Sequence, residues 1–213
     1  MNDLSVLIGS CDAYNHMCKN FDILFKRYWK VNTLNYFVGE IIPINEDNYI
    51  NILPGYKPWG ERMLAGLYEI KTKYVCFFLE DYYFTEEISE SFILEHIKIL
   101  EEYNAQKIMF DKLYPPGVYQ LDHIKDNLYQ FNISSDYLNS IQPAIWDVEY
   151  LKKILSPNYS PWDFELEGNN YTKTLNPILL LNARLQSVYF NYSRVGGTLT
   201  AGWEELFIKE GLS

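Results

Sequence analysis

In the first half of the chain, short runs of apolar residues alternate with apolar residues at helical spacing. Residues 4–8 (LSVLI) read as a buried strand ending at Gly9. Met17, Phe21, Leu24, Phe25 and Tyr28 then recur at three- and four-residue intervals and predict a helix over 15–29. Residues 36–42 (YFVGEII) form a second apolar run. Residues 43–58, rich in Pro, Asn and Gly, read as a loop. Helical spacing returns at Trp59, Met63, Leu67 and Ile70. Residues 74–79 (YVCFFL) are apolar without interruption, as a central parallel strand covered on both faces requires. A helix over 86–103 and a fourth strand at 107–110 (KIMF) follow.

Strand and helix thus alternate through the first half, which predicts a doubly wound α/β sheet with Rossmann-like character. The second half is mixed. Residues 118–121 and 128–131, separated by DHIKDN, predict a hairpin. Residues 141–146 suggest a strand and 148–155 a short helix, and Ser160, Pro161 and Asp163 open another short helix. Residues 178–181 and 188–192 suggest late strands, and GWEELFIKEG a terminal amphipathic helix. No linker separates the halves, so the expected organisation is one domain, in which a nucleotide-binding-like half (1–111) passes into a mixed half (112–213).

Composition narrows the function. A 48% hydrophobic and 22% charged content over 213 residues argues against disorder. The net charge of −10 disfavours nucleic acid, whose phosphates demand basic patches. Any anionic ligand therefore needs a local cation. Cys11, Cys18 and Cys76 have no metal-ligand spacing and suit free thiols in a reducing compartment. The N-terminal residues lack a secretory pattern and no long apolar run occurs, so the expectation is a cytoplasmic protein, with peripheral membrane contact left open. The 19 Tyr, 12 Phe and 5 Trp fit either a bulky core or a groove for flat or sugar-like ligands.

Several segments carry candidate chemistry. Glu80 and Asp81 follow directly on the apolar run 74–79, and ligands in open α/β sheets sit beyond the carboxyl ends of the strands. Paired carboxylate oxygens there suit Mg²⁺ or Mn²⁺ against a diphosphate; the alternative is a solvated loop start. Asp12 and Tyr14 lie just after the first strand, where Asp12 either bonds a nucleoside or caps a helix and Tyr14 offers a stacking ring. Neither GxGxxG nor GxxxxGK[ST] occurs. In KPWGER, Arg62 is either a phosphate contact or a solvated helix residue, and Trp59 either a ligand wall or a core anchor. In SPWDFELEG, Ser160, Pro161 and Asp163 carry the signature of a capping box, which explains Asp163 structurally. Glu165 has no such explanation. Beside an aromatic wall its carboxylate suits a general base. In NYSRVGGT, Arg194 and the following glycines suggest either a charged loop over a ligand or an ordinary turn.

Three segments together, SVLIGSCDAY, WGERMLAGLYEIKTKYVCFFLEDYYF and QPAIWDVEYLKKIL followed by SPWDFELEG, resemble small bacterial glycosyltransferases of the GT-A fold. These are relatives of glycosyltransferase family 2, often found with capsule or lipopolysaccharide genes. The resemblance implies a GT-A-like mixed sheet, a nucleotide-sugar donor, a glycan or lipid-linked glycan acceptor and inverting transfer. It implies that Asp12 contacts the nucleotide and that Asp81, with Glu80 beside it, faces the metal or diphosphate. Glu165, or else Asp163, takes the place of the base. Glu80-Asp81-Tyr82 stands where a DxD triplet is usual. Two other readings follow from the same segments: a non-catalytic member of the fold that binds a glycan or a partner protein, and a phosphate-handling hydrolase.

Overall fold

The computed structural model describes residues 3–44, 47–113, 119–194 and 198–212, without the side chain of Arg194. Strand β1 (Leu4–Gly9) leads through a single 3-10 turn (Asp12–Tyr14) into helix α1 (Asn15–Tyr28). Strands β2 (Leu34–Val38) and β3 (Ile50–Ile52) precede helix α2 (Trp59–Glu69). Strands β4 (Tyr74–Leu79) and β5 (Tyr82–Phe84), helix α3 (Glu90–Glu102) and strand β6 (Lys107–Met109) follow. The rest comprises β7 (Leu121–Lys125), β8 (Leu128–Phe131), β9 (Ala144–Asp147), α4 (Val148–Ile154) and α5 (Pro161–Leu175). The chain closes with β10 (Leu179–Asn182), β11 (Tyr189–Asn191), β12 (Ser193–Arg194), β13 (Thr198–Leu199) and α6 (Trp203–Glu210).

Nine strands form one mixed sheet in the order β3-β2-β1-β4-β9-β6-β10-β8-β7. β4 pairs parallel with β1 and antiparallel with β9. The sheet is therefore mixed at its centre, whereas the apolar run alone predicts a parallel environment. β9, from the second half of the sequence, lies between β4 and β6 from the first.

Period-two alternation divides the core between the two faces. Val6, Ile8, Cys76, Phe78, Ile108 and Ile145 pack with Phe21, Leu24 and Phe25 of α1 and Ile93 and Ile97 of α3. Leu7, Val75, Phe77, Met109 and Trp146 pack with Met63 and Leu67 of α2, Leu151 of α4 and Phe164 of α5. Each fully buried Leu, Val or Phe contributes about 1.5–3 kcal/mol. Most of the phenylalanines go into this core: Phe25 stacks between Phe21 and Trp29, and Phe78 meets Phe84 edge to face.

The structure corrects several expected boundaries. The second strand stops at Val38 rather than at 42, because the Ile41 and Ile42 amides turn onto Asp12 Oδ1 at 3.2 and 3.1 Å. The expected loop 43–58 contains β3, a three-residue edge strand too short to show a period. The hairpin is displaced: its first strand runs through Lys125, and Asp126, at φ 46°, makes the turn with Asn127. Asp readily adopts that left-handed conformation. The expected strand residue Val118 lies outside the described residues. Helix α5 is 15 residues long rather than short. Past the first turns Gly168 packs against Asn139, and Asn169 is buried with Oδ1 accepting from the Leu138 amide at 2.7 Å, so the helix continues.

The start of α5 is capped as its sequence predicts. Ser160 Oγ accepts from the Asp163 amide at 3.1 Å, and Asp163 Oδ2 accepts from the Ser160 amide at 2.8 Å. The segment before α5 is clamped to α2, since the Gly60 amide donates to Tyr159 O at 2.8 Å. A side chain on Gly60 would overlap the Ser156 carbonyl. This contact fixes where α5 begins relative to α2.

Two outcomes are expected. Gly60→Ala lowers stability by about 1–3 kcal/mol, measured by urea unfolding, because backbone must move to admit the methyl group. Asp163→Ala lowers the thermal midpoint at pH 7. The Ser160 amide and hydroxyl hold the Asp163 carboxyl below its usual range. Its stabilisation is therefore complete above the ordinary carboxyl range and is lost as pH falls through the depressed value, so variant and parent converge in acid.

Candidate active site

A cavity of about 470 Å³ opens at the carboxyl ends of β1 and β4. To one side of β1 lies β2 and to the other β4, so this is a point where the winding of the sheet reverses, the usual ligand position in open α/β sheets. Gly9, Ser10 and Cys11 line it from the end of β1, and Leu79 to Tyr82 from the turn between β4 and β5. Trp59 and Arg62 come from α2, Pro161, Trp162 and Glu165 from α5, Ile141 and Gln142 from the segment before β9, and Asn191 and Ser193 from the C-terminal strands.

The acidic turn sits in a dry place. Glu80 is buried, and burial, with Asp81 beside it, lifts its carboxyl well above the usual range. Burial also pushes Asp81 up to about 6, against the hydrogen bond from Ser193. Ser193 Oγ donates to Asp81 Oδ2 at 2.8 Å, and the Tyr192 amide donates to Asp81 O at 2.7 Å. Asp81 Oδ1 is buried with no partner. The C-terminal segment thus braces the turn while leaving one carboxylate oxygen unspent.

Arg62 is buried. Its Nη1 donates to Ser10 O, its Nε donates to Lys57 O at 3.1 Å, and its Nη2 lies 3.8 Å from Glu40 Oε1. The guanidinium joins α2 to the end of β1, and its charge opposes the rise of the Glu80 carboxyl. Trp59 is at once core and wall: it packs on Phe77 and Phe164 and lines the cavity, and its Nε1 is buried without a partner. Tyr14 is half-buried at the mouth, and Trp162 is 46% exposed there.

Glu165 reaches the cavity from the first turns of α5. Its Oε1 accepts from the Ile141 amide at 2.9 Å. Burial raises its carboxyl above the usual range, opposed by that amide, Lys107 and Ser140. A carboxylate held this way can take a proton nearer neutral pH than an exposed glutamate can.

Six of the sequence candidates, Tyr14, Trp59, Arg62, Glu80, Asp81 and Glu165, meet on one cavity. Asp12 and Asp163 do not line it. Asp12 Oδ1 is occupied by the 41–42 amides, and the Asp12 amide donates to Glu40 Oε2 at 2.9 Å. Asp163 is engaged in its capping box, facing Ser160. The Arg194 side chain and residues 195–197, which include the Gly196–Gly197 pair, lie outside the described residues. Sequence reasoning missed Ser193, although NYSRVGGT drew notice for its arginine; alternation from Asn191 was the available signal. It also missed Ser10 and Gln142, which nothing in the sequence distinguishes from ordinary polar residues.

Among the described residues, no three His, Cys, Asp or Glu side chains group as a metal centre. The donors present still fit a hard cation. Mg²⁺ commonly takes one or two carboxylates and completes its shell with water and substrate phosphates, and Asp81 Oδ1 is a buried oxygen without a partner. Nor, among the described residues, is any helix long and apolar enough to cross a membrane.

No family model and no curated protein matches the chain. Solved structures do. S. aureus TarS 1-349 in complex with UDP-GlcNAc superposes with a TM-score of 0.60 at 13% identity, over 91% of this chain and 59% of that one. UDP-glucose pyrophosphorylase complexed with UDP-glucose gives 0.55 at 9% identity, over 90% of this chain and 93% of that one. A second S. aureus TarS structure is matched over 98% of this chain and 39% of that one, so the chain spans less than two thirds of the TarS structures. At such identities the likeness concerns the fold alone, which is a GT-A-like mixed α/β sheet.

Proposed function

We propose that the chain is a glycosyltransferase that moves a sugar from a nucleotide-sugar donor to a glycan or lipid-linked glycan, with inversion, in surface-polysaccharide synthesis of the family 2 type. The observation that carries this reading is that the Glu80-Asp81 turn and Glu165, 84 residues apart in sequence, border one cavity at the switch point of the sheet. The likeness of the fold to proteins crystallised with UDP-GlcNAc and UDP-glucose supports the donor class. The whole sequence is read as one GT-A-like domain, with donor groups drawn mainly from 1–111 and the base from 112–213. A lipid-linked acceptor suits a cytoplasmic protein in peripheral contact with the membrane.

In this reading the donor diphosphate lies against the acidic turn and Arg62. A divalent cation, Mg²⁺ or Mn²⁺, held by Asp81 with Glu80 beside it, would neutralise the departing diphosphate. Arg62 adds positive charge from the wall and keeps Ser10 in place for the donor to lie against. Trp59 Nε1 is a ready donor to a sugar or phosphate oxygen, and Tyr14 a ring for the base. Asp12 acts on the donor indirectly, by fixing the 41–42 backbone. Arg194 stands in this reading as a further charge near the donor. Glu165 takes the proton from the acceptor hydroxyl. The oxygen then attacks the anomeric carbon in line, and the nucleoside diphosphate leaves from the opposite face. Trp162, exposed beside Glu165, offers the acceptor sugar a flat apolar surface.

Calorimetry with a panel of nucleoside diphosphates and with UDP-GlcNAc, each with and without Mn²⁺, tests the donor assignment. Binding that strengthens with Mn²⁺ is expected, and no binding in any arm removes the transferase in favour of a non-catalytic glycan- or partner-binding role. Sugar released to water with no need for an acceptor would favour a hydrolase instead. Asp81→Asn and Glu165→Gln are each expected to lower transfer at least about 100-fold, read from single-turnover rates, the usual loss for such groups. Asp163→Ala is expected to turn over near the parent rate, because its carboxylate serves the helix cap.

A further inference from the structure

Strand β6 begins with a residue that its surroundings do not favour. Lys107 is 0% exposed among the apolar side chains of the sheet. Its Nζ lies 4.5 Å from the centre of the Trp146 ring and 5.6 Å from that of Phe131. Among the described residues no carboxylate stands within ion-pair distance of it. An isolated buried ammonium is costly, and a leucine or methionine would fill the same space without that cost.

The side chain is turned instead to one segment of backbone. Nζ donates to Leu138 O at 3.1 Å and to Ser140 O at 2.9 Å. The next amide, that of Ile141, is the one that donates to Glu165 Oε1. The same segment is tied to α5 on its other side. Asn139 Nδ2 donates to Phe164 O at 3.1 Å, and Asn139 Oδ1 accepts from Thr172 Oγ1 at 2.8 Å. Asn169 Nδ2 donates to Ser135 O at 3.1 Å. Residues 135–141 are therefore a strap held between Lys107 and α5, and Glu165 hangs from the strap by its amide.

Electrostatics link the same two groups. Burial pushes the Lys107 ammonium down to about 7, and Glu165 is the charge that opposes this. Lys107 in turn opposes the rise of the Glu165 carboxyl. The other groups around Glu165 are the Ser140 hydroxyl on the strap and Tyr119, whose phenol feels the Glu165 charge; Glu80, Asp81 and Arg62 share its cavity. Among the described residues, Lys107 meets the two carbonyls and the two rings, with Glu165 at electrostatic range.

We propose that Lys107 is a positioning residue for Glu165: it fixes the strap whose Ile141 amide holds the carboxylate, and it sets a cation within electrostatic reach of that carboxylate from inside the sheet. The proposal rests on the reading of Glu165 as the base. It adds a residue that touches neither the cavity nor any substrate.

The test begins with a measurement that needs no substrate. In protein labelled with ¹³C at Glu Cδ, the Glu165 resonance is assigned by its loss in Glu165→Gln. Lys107→Met keeps the length and removes the charge, and there the Glu165 titration midpoint is expected to rise by about one pH unit or more, the usual effect of an opposite charge nearby. A lysine that served packing alone would change stability and leave the midpoint in place, and that result overturns the proposal. The coupling is reciprocal, so Glu165→Gln, which spares the core, gives a second reading if Lys107→Met does not fold. There the Lys107 Cε resonance, expected to titrate near neutrality in the parent, moves to lower pH; an unmoved resonance equally overturns the proposal. The acidic limb of kcat/KM is then compared. It is expected to move with the carboxyl midpoint in Lys107→Met and to return toward the parent in Lys107→Arg. A carboxyl that shifts under an unmoved limb leaves the pair standing and removes Glu165 as the base, so the two failures are told apart.

Discussion

Two adjacent carboxylates cannot be taken out of water side by side without a counter-charge close by. The end of β4 does this with Glu80 and Asp81, and much of the surrounding structure answers to it. Arg62 is drawn in from α2, Ser193 is brought up by the C-terminal strands, and Tyr192 closes the backbone of the turn. These partners relieve the pair only in part, since both carboxyls remain raised and one Asp81 oxygen stays unpartnered. In the proposed reading, a cation arriving with the donor would supply the positive charge that the site lacks.

The rest of the cavity follows from what must support that turn. β4 is buried on both faces, so its end can be placed with little play. Gly60 lets the segment before α5 come against α2, and the capping box then starts α5 with Glu165 turned inward. Rigid elements thus hold the two acidic positions, and only a hydrogen-bonded strap lies between the base candidate and the sheet. Phenylalanines, with Tyr83 and Trp146, fill the two cores, and Tyr14, Trp59, Tyr82 and Trp162, which carry a polar handle, line the cavity.

The sequence was a good guide where one local rule governs. Helical spacing located α1, α2 and α6, the unbroken apolar run located β4 to the residue, and Ser160-Pro161-Asp163 announced its own cap. It misled where a distant partner decides. YFVGEII looks like one strand, yet Asp12 takes its last amides. The helix opened by Ser160 and Pro161 looks short, yet Asn139 and Leu138 hold Gly168 and Asn169 within a helix of 15 residues. Arg62 could pass for a solvated helix residue, yet carbonyls 52 and five residues away bury it.

By itself, the sequence determined the alternation of elements, the two-faced core and the identity of the acids that stand at element ends, because periodicity and capping are read within a few residues. Only the tertiary structure decided that Glu165 rather than Asp163 faces the acidic turn, that Asp12 braces a loop, and that a lysine lies buried behind the strap. Those outcomes depend on hydrogen-bond partners and on burial supplied by segments far along the chain, and neither is encoded in any local pattern.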